Sequence, residues 1–387
     1  MSTIKSLAQK NEQLIHNIQT LIGTQKKNIL SIKKKQHAVT RVGFDVNGVL
    51  HNQVYYDNGQ YYPIYKFSDL LLQNPSNYIN PFIISLIKKH IDQGDEIFIV
   101  SHNPIVQTSL FLQFLILILG QNNASKIPIQ NIYLAKGGKS KIISNLGITT
   151  FYDDSSKVLR EINYNIYYKS NKTYPIRLFQ VIPELNFICE FMSSPSVKKD
   201  TLSNVGGVLL VAYNTQNNTR KYLLQQRASD LTGGNKFNIP GGHIADSPYE
   251  NGSKKCSRKK NCESPFMGCL REFGEEAFKD IMNETSPKKI KINQYNASNF
   301  LNGALRVMNY QRGQYNLVII KYDESLTNGF RFYPTKKYAE EINLNHIYNI
   351  PNSPGSKWFS LQEIMLFKNK IFNPNTLIQL IPILKDF

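Results

Sequence analysis

Acidic residues are scarce in this sequence of 387 residues, where 28 Asp and Glu stand against 46 Lys and Arg. The resulting formal net charge of +18 favours a polyanionic partner: nucleic acid, a nucleotide-rich substrate or a membrane surface. Charge of this kind supplies affinity but no chemistry. An AT-rich coding sequence, which also enriches Asn and Ile, is an alternative origin of the Lys excess.

Cysteine is also scarce, and no CxxC pair occurs among Cys189, Cys256, Cys262 and Cys269. Together with the lack of a signal peptide, this predicts a reducing, cytoplasmic setting. Cys256 and Cys262 fit free thiols better than a metal clip or a redox pair, because no His pair accompanies them. The most apolar run, 109–119, is too short for a membrane span and predicts a buried helix.

The first 38 residues have the pattern of an amphipathic helix. Apolar residues recur at spacings of three and four, and a basic run that includes Lys33, Lys34 and Lys35 follows them. We expect this helix to dock on the next domain. A short coiled coil and an RNA-contacting arm are the alternatives.

An acidic cluster, Arg-Glu-Phe-Gly-Glu-Glu at 271–276, contrasts with the basic chain around it. If this segment is helical, Glu272, Glu275 and Glu276 share one face. Three carboxylates on one face repel one another unless a cation lies between them, and oxygen ligands suit Mg²⁺ or Mn²⁺. The alternative is a solvated acidic helix face.

Polar residues follow three predicted strands in the segment 39–168, as in the open α/β sheets that place a site at the carboxyl ends of their strands. The order of these residues resembles the four motifs of haloacid-dehalogenase-like (HAD-like) phosphatases. The resemblance implies a Rossmann-type parallel-sheet domain, and its motif positions are Asp45, Asn47, Ser101, Lys136 or Lys139, Asp153 and Asp154.

Asn47 departs from that family, which has an acid/base Asp at this position. An amide can neither protonate a leaving group nor activate water. We therefore expect a degenerate domain, which either binds Mg²⁺ and phosphate or serves only as a scaffold.

The segment 169–202 predicts a connection with one strand at 187–192, and a strand-rich domain follows at 203–387. Its first strands, 205–213 and 222–227, precede Pro240, Gly241 and Gly242. A Pro followed by two Gly permits a tight turn with close backbone approach.

The second domain resembles the Nudix hydrolases, whose box reads G-x5-E-x7-R-E-U-x-E-E-x-G-U with U apolar. Seven residues separate Glu263 from Arg271, which opens the matching R-E-U-x-E-E segment, and a Trp358 segment resembles the end of such domains. The resemblance implies an α/β/α sandwich, Mg²⁺ or Mn²⁺ on Glu272, Glu275 and Glu276, and an Arg271 that orients carboxylates, including Glu263. A further base or ligand is expected from Glu340 or Glu341, whose alternative is a solvated surface pair.

Two features depart from the box. Twenty residues separate Gly242 from Glu263, where the box has five. The segment 243–262 is therefore read as an insertion, and its Lys and Arg residues make it basic. Phe278 replaces the late Gly that usually ends the helix, so we expect the helix to continue through Ile281.

The resemblance implies hydrolysis of a diphosphate linkage. The basic composition favours capped RNA, because Lys and Arg contacts to its phosphates add affinity. A Nudix domain with an N-terminal appendage and a composition rich in Asn, Ile and Lys resembles the mRNA-decapping Nudix enzymes of large cytoplasmic DNA viruses, mimivirus-like ones especially. This resemblance implies m7GDP and 5′-monophosphate RNA as products. The alternatives are hydrolysis of small nucleoside diphosphate derivatives, dinucleoside polyphosphates or diphosphoinositol polyphosphates, and an RNA-binding protein with an inactive Nudix fold. No obligate protein partner is evident. The expected phosphate contacts are Lys254, Lys255, Arg258, Lys259 and Lys260.

Overall fold

The chain divides into two compact units, Met1–Ile188 and Cys189–Phe387, in a computed structural model. The predicted N-terminal helix and the basic insertion lie outside the described residues, apart from 243 and 244 of the insertion. The residues that the structure describes are 39–52, 54–57, 60–63, 71, 74–102, 108–134, 138–169, 176–193, 205–226, 236–244, 264–282, 292–312, 315–330, 356–367 and 387.

The first unit contains a parallel sheet, as its sequence predicted. Its strands are β1 (Arg41–Phe44), β4 (Glu96–Ser101), β5 (Ile132–Leu134), β6 (Thr150–Asp153) and β7 (Arg177–Ile182), in the order β5-β4-β1-β6-β7. Every neighbouring pair is parallel. The central strands are buried along almost their whole length, as expected for parallel strands covered on both faces. A separate hairpin joins β2 (Val54–Asp57) and β3 (Gln60–Pro63).

Helices alternate with these strands. Their bounds are α1 (Pro81–Gln93), α2 (Thr108–Leu119), α3 (Gln121–Ala124), α4 (Lys139–Leu146) and α5 (Ser156–Asn163). The helix α2 confirms the buried helix predicted from the apolar run, and most of its apolar side chains join the core. Among the described residues, no helix has both the length and the apolarity that a membrane crossing requires.

The second unit contains a mixed sheet. Its strands are β8 (Phe187–Ser193), which begins in the first unit, β9 (Val205–Asn214), β10 (Thr219–Gln226), β11 (Phe237–Asn238), β12 (Gly241–His243), β13 (Arg306–Arg312), β14 (Tyr315–Asp323) and β15 (Ser356–Ser360). The order is β8-β13-β14-β9-β10-β11, with β12 also on β9 and β15 also on β10. The β8–β13 and β14–β9 pairs are parallel, and the others are antiparallel.

Alternation along β9 separates two faces of this sheet. Leu209 and Val211 belong to a core cluster that also contains Ile364 of the last helix. Gly206, near the start of the same strand, lies on the opposite face, where helix 265–276 packs. The helices are α6 (Pro265–Glu276), α7 (Gln294–Asn302), α8 (Glu324–Thr327) and α9 (Leu361–Phe367).

The predicted connection at 169–202 contains more structure than expected. The predicted strand at 187–192 is present as β8, and its residues 190–193 pair with β13. The expectation of a single strand was wrong, because β7 also lies in this segment and pairs with β6. The sequence Arg-Leu-Phe-Gln-Val-Ile of β7 has four apolar residues in six, and the Pro- and Asn-rich surroundings obscured this short run.

Candidate functional site

The acidic cluster lies at the carboxyl end of α6, as the spacing of its Glu residues predicted. Ser264 caps the start of the helix by accepting a 3.3 Å hydrogen bond from the amide of Met267. Pro265 occupies the first turn, where its missing N–H is harmless. The helix therefore begins within a few residues of the first Glu predicted for the box.

The end of α6 differs from the prediction. The helix stops at Glu276 instead of continuing through Ile281, and a separate 3-10 turn follows at Lys279–Ile281. The amides of Ala277 and Phe278 both donate to the carbonyl of Phe273, which tightens the last turn. Phe278 is buried in a cluster of aromatic rings with Phe273, Phe300 and Phe330. The chain changes direction here as the Phe278 side chain packs into this cluster.

Two facing glycines bring α6 close to the sheet. Gly242 of β12 pairs with Gly206 of β9. A Cβ at residue 206 would lie 2.4 Å from Sγ of Cys269, and one at residue 242 would lie 2.1 Å from Oε2 of Glu272. Any larger residue would displace the helix or its carboxylate. The prediction for Gly242 did not include Gly206, although the Gly-Gly pair at the start of β9 was a visible signal.

Arg271 joins two of the three predicted metal ligands. Its Nη2 lies 2.9 Å from Oε1 of Glu272, and its Nη1 lies 2.9 Å from Oε2 of Glu275. The exposed fractions of the three side chains are only 6% for Arg271 and 8% for each Glu. Because buried charges are costly to separate from their ion-pair partners, we expect the trio to hold a fixed geometry.

The donors present fit a hard divalent cation. The trio contributes two carboxylates, and carboxylate oxygens are ligands that Mg²⁺ and Mn²⁺ accept. Glu276 follows on the same helix, but its side chain is not among those described. Glu263, Glu340, Glu341, Lys136 and the five basic residues of the insertion lie outside the described part of the chain. Their proposed roles stay predictions.

The first unit brings together a second set of polar residues that the sequence singled out. Asp45 follows β1, Ser101 ends β4, Lys139 begins α4, and Asp153 ends β6. Lys139 Nζ lies 2.7 Å from Oδ2 of Asp45 and 2.7 Å from Oδ2 of Asp153. Carboxylate oxygens of Asp45, Asp153 and Asp154 lie within 4.8 Å of one another.

A cation fits this second cluster as well. Oδ1 of Asp45 is buried and has no hydrogen-bond partner among the described residues, which leaves a charged oxygen available as a ligand. Gly48, at φ +76°, lies against the same cluster, since a Cβ there would be 2.2 Å from Oδ2 of Asp154. This close contact requires glycine. The adjacent Asn47 is half-buried, and its backbone forms an isolated β-bridge with that of His51.

Burial sets the protonation of these groups. It raises the pKa of Asp153 to about 7, with the charge of Asp45 adding to the rise and Lys139 opposing it. Burial and the charges of Asp153 and Asp45 also raise the pKa of Asp154. Burial lowers the pKa of Lys139, but Asp153 and Asp45 outweigh it, so the net shift is upward. The ammonium therefore stays charged between two carboxylates.

Known structures give a limited comparison. No protein-family model matches the chain, and no curated protein matches it. A Nudix hydrolase from M. smegmatis, RenU, is 13% identical with a TM-score of 0.20, and the match covers 44% of this chain and 77% of that one. A Nudix hydrolase from Alicyclobacillus acidocaldarius is 12% identical with a TM-score of 0.23, and the match covers 44% and 83%.

Proposed function

We propose that the second unit is a Nudix hydrolase that cleaves a diphosphate linkage with Mg²⁺ or Mn²⁺. The observation that carries this proposal is the buried trio in which Arg271 pairs with Glu272 and Glu275, together with the close approach of Gly242 to Glu272. Burying these three charges lowers the stability of the fold, because removing charges from water costs free energy. A site that must hold metal ligands in fixed positions gives the trio a use.

Each residue of α6 has a distinct role in this proposal. Glu272, Glu275 and Glu276 would hold the cation, and Arg271 would orient the first two without contacting the substrate. The bound cation would lower the pKa of a water molecule and offset charge on the diphosphate. Gly242 would let the backbone of β12 lie close to Glu272, so that the carboxylate cannot move away from its position.

Capped RNA is the substrate that we propose, with m7GDP and 5′-monophosphate RNA as the products. The support is the net charge of +18, which suits a long polyanion better than a small nucleotide. Small nucleoside diphosphate derivatives, dinucleoside polyphosphates and diphosphoinositol polyphosphates are the alternative substrates. RNA binding without hydrolysis is the non-enzymatic alternative.

The deciding experiment incubates the full chain with cap-labelled RNA and Mg²⁺ or Mn²⁺ and measures released m7GDP. Glu275→Gln should reduce turnover by several orders of magnitude. Glu363→Gln is the matched control, because that exposed side chain only caps α9 through Ser360. Activity of Glu275→Gln within about tenfold of the parent would reject the assignment. Equal rates on free cap analogue and capped RNA would reject the preference for RNA.

A second candidate function rests on the cluster of Asp45, Asp153 and Asp154 around Lys139. We propose that the first unit binds Mg²⁺ and a phosphate group without turning it over, because Asn47 cannot serve as an acid or a base. The test is phosphatase activity of the full chain carrying Glu275→Gln, which silences the other unit. Robust turnover that Asp45→Asn abolishes would show an active phosphatase instead.

A further inference from the structure

Three cationic side chains converge at one end of the sheet in the second unit, far apart in sequence. They are Arg220 of β10, Lys321 of β14 and Arg306 of β13. Each is two residues along its own strand from a residue of the core cluster, namely Tyr222, Ile319 and Met308. Residues two apart on a strand share a face, so all three cations lie on the face of the core cluster. These three residues and Tyr213 of β9 are called the cationic strip below.

The pairing of the strands makes the strip continuous. Arg306 lies directly opposite Lys321, and Arg220 lies directly opposite Tyr213. Because β9 separates β10 from β14, the ring of Tyr213 stands between two cations. The Arg220 guanidinium is 5.7 Å from the centre of this ring, and the Lys321 ammonium is 5.2 Å from it. Cations interleaved with an aromatic ring are typical of sites that bind nucleic acid.

Acidic side chains offset only part of this charge. Glu190 accepts hydrogen bonds from Arg306 at 2.6 and 3.1 Å. Asp323, the neighbour of Tyr213 in the sheet, caps α8 through Ser325 instead. Among the described side chains, no Asp or Glu carboxylate forms an ion pair with Arg220 or Lys321.

Two further observations show that positive charge is concentrated in this arrangement. Burial lowers the pKa of Lys321, and the charges of Arg306 and Arg220 lower it further, against a smaller opposing effect of Glu190. The Nε of Arg220 is buried with no hydrogen-bond partner among the described residues. Like charges placed directly opposite each other on a sheet are destabilising, so a bound anion would relieve the strip.

Phe387 occupies part of the space next to the strip. Its ring lies 4.8 Å from the Arg306 guanidinium and 5.1 Å from the Lys321 ammonium, and its main-chain oxygen accepts a hydrogen bond from Lys321. The contact uses one of the three donors of the ammonium. Among the described residues, Phe387 makes these contacts with Arg306 and Lys321 and not with Arg220 or Tyr213, at the other end of the strip.

We propose that the cationic strip binds the phosphodiester backbone of an RNA substrate away from the reacting diphosphate. This inference rests on the proposed function and adds a binding site to it. Tyr213 lies seven residues along β9 from Gly206, which is about 23 Å at the usual rise of a strand. The strip is also on the face opposite α6. It therefore contributes affinity for a long RNA and leaves the chemistry at Glu272 unchanged.

The test compares two triple variants of the full chain. One removes the strip by Arg220→Gln, Arg306→Gln and Lys321→Gln. The matched control removes the same charge by Lys89→Gln, Lys141→Gln and Lys157→Gln, at three exposed helix positions in the first unit. Binding of uncapped single-stranded RNA is measured by fluorescence anisotropy over a range of salt concentrations. Turnover of free cap analogue is measured in parallel.

The strip variant should bind RNA at least roughly tenfold more weakly at low salt, and its salt slope should fall by about 2, since each phosphate contact contributes about 0.7. The control should change much less. Lys321→Arg should keep the affinity, which separates lost contacts from lost folding, and the fluorescence of Trp358 on β15 checks the fold. Equal RNA binding by the strip variant and the control would overturn the proposal.

Failure of the proposed function would look different. If no substrate is hydrolysed but RNA binding still depends on the strip, the strip stands and the hydrolase proposal fails. If cap analogue is hydrolysed normally and the strip variant binds RNA as well as the control does, the hydrolase proposal is supported. In that case the strip serves only to bind Phe387.

Discussion

Replacing Gly242 by Ala tests whether the position of Glu272 is essential. The new methyl group would lie 2.1 Å from Oε2 and 2.8 Å from Cδ of Glu272, where ordinary contacts begin at 3.4 Å. The carboxylate has little freedom to rotate away. The side chain of Glu272 is only 8% exposed, and its Oε1 is held 2.9 Å from Nη2 of Arg271. Either β12 or the carboxylate must therefore move by about an ångström.

This displacement has a predictable magnitude. Overpacking of a filled interior costs about 1–3 kcal/mol of unfolding free energy. Misplacing a catalytic group by about 1 Å reduces turnover on the order of 100-fold. We therefore expect Gly242→Ala to fold with modestly reduced stability and to lose most of its kcat on cap analogue.

Gly303→Ala is the matched control in the same unit. A Cβ at this residue would have no neighbour closer than 3.6 Å, so stability and kcat should stay near the parent values. Urea unfolding followed by Trp358 fluorescence reports stability, and release of m7GDP reports kcat. If Gly242→Ala keeps its stability and more than about a third of its activity, the argument that Glu272 needs a fixed position is refuted.

Two further predictions concern the first unit. Lys139→Met removes the cation between Asp45 and Asp153, so it should lower the unfolding free energy by about 3–5 kcal/mol. Added Mg²⁺ should recover part of this loss. Hydrogen exchange of the β1 and β6 amides measures both effects, and unchanged protection would contradict the prediction. Burial raises the pKa of Asp153 from 3.8 to about 7, so the folded state binds more protons than the unfolded state between these values. In EDTA, stability should accordingly be full below about pH 4 and fall as pH rises through about 7. Asp153→Asn should flatten this dependence, and the same slope in both proteins would exclude Asp153 as its source.

Local sequence pattern predicted the elements that carry the candidate sites. The spacing of Glu272, Glu275 and Glu276 indicated one helical face, and short apolar runs indicated the strands that end near Asp45, Ser101 and Asp153. These features depend on periods of two and 3.6 residues within a single element, so neighbouring residues contain the necessary information.

Features that depend on distant residues were not predictable in this way. The helix α6 ends at Glu276 because Phe278 packs against Phe300 and Phe330, and no local rule indicates that packing. The expected ion-pair partner of Arg271 in the upstream loop was Glu263, which lies outside the described residues. The structure pairs Arg271 with Glu272 and Glu275 on its own helix.

The basic charge of the chain illustrates the same limit. A linear reading locates positive charge where Lys and Arg are consecutive, as in the insertion at 243–262. Topology can assemble an equally concentrated charge from isolated residues, because Arg220, Lys321 and Arg306 come from three strands and have no basic run in common. Strand pairing fixes their spacing to about 5 Å between neighbouring strands. A fixed array loses less conformational entropy when it binds a phosphate backbone. The strip is for this reason a stronger candidate for an RNA contact than its small share of the total charge indicates.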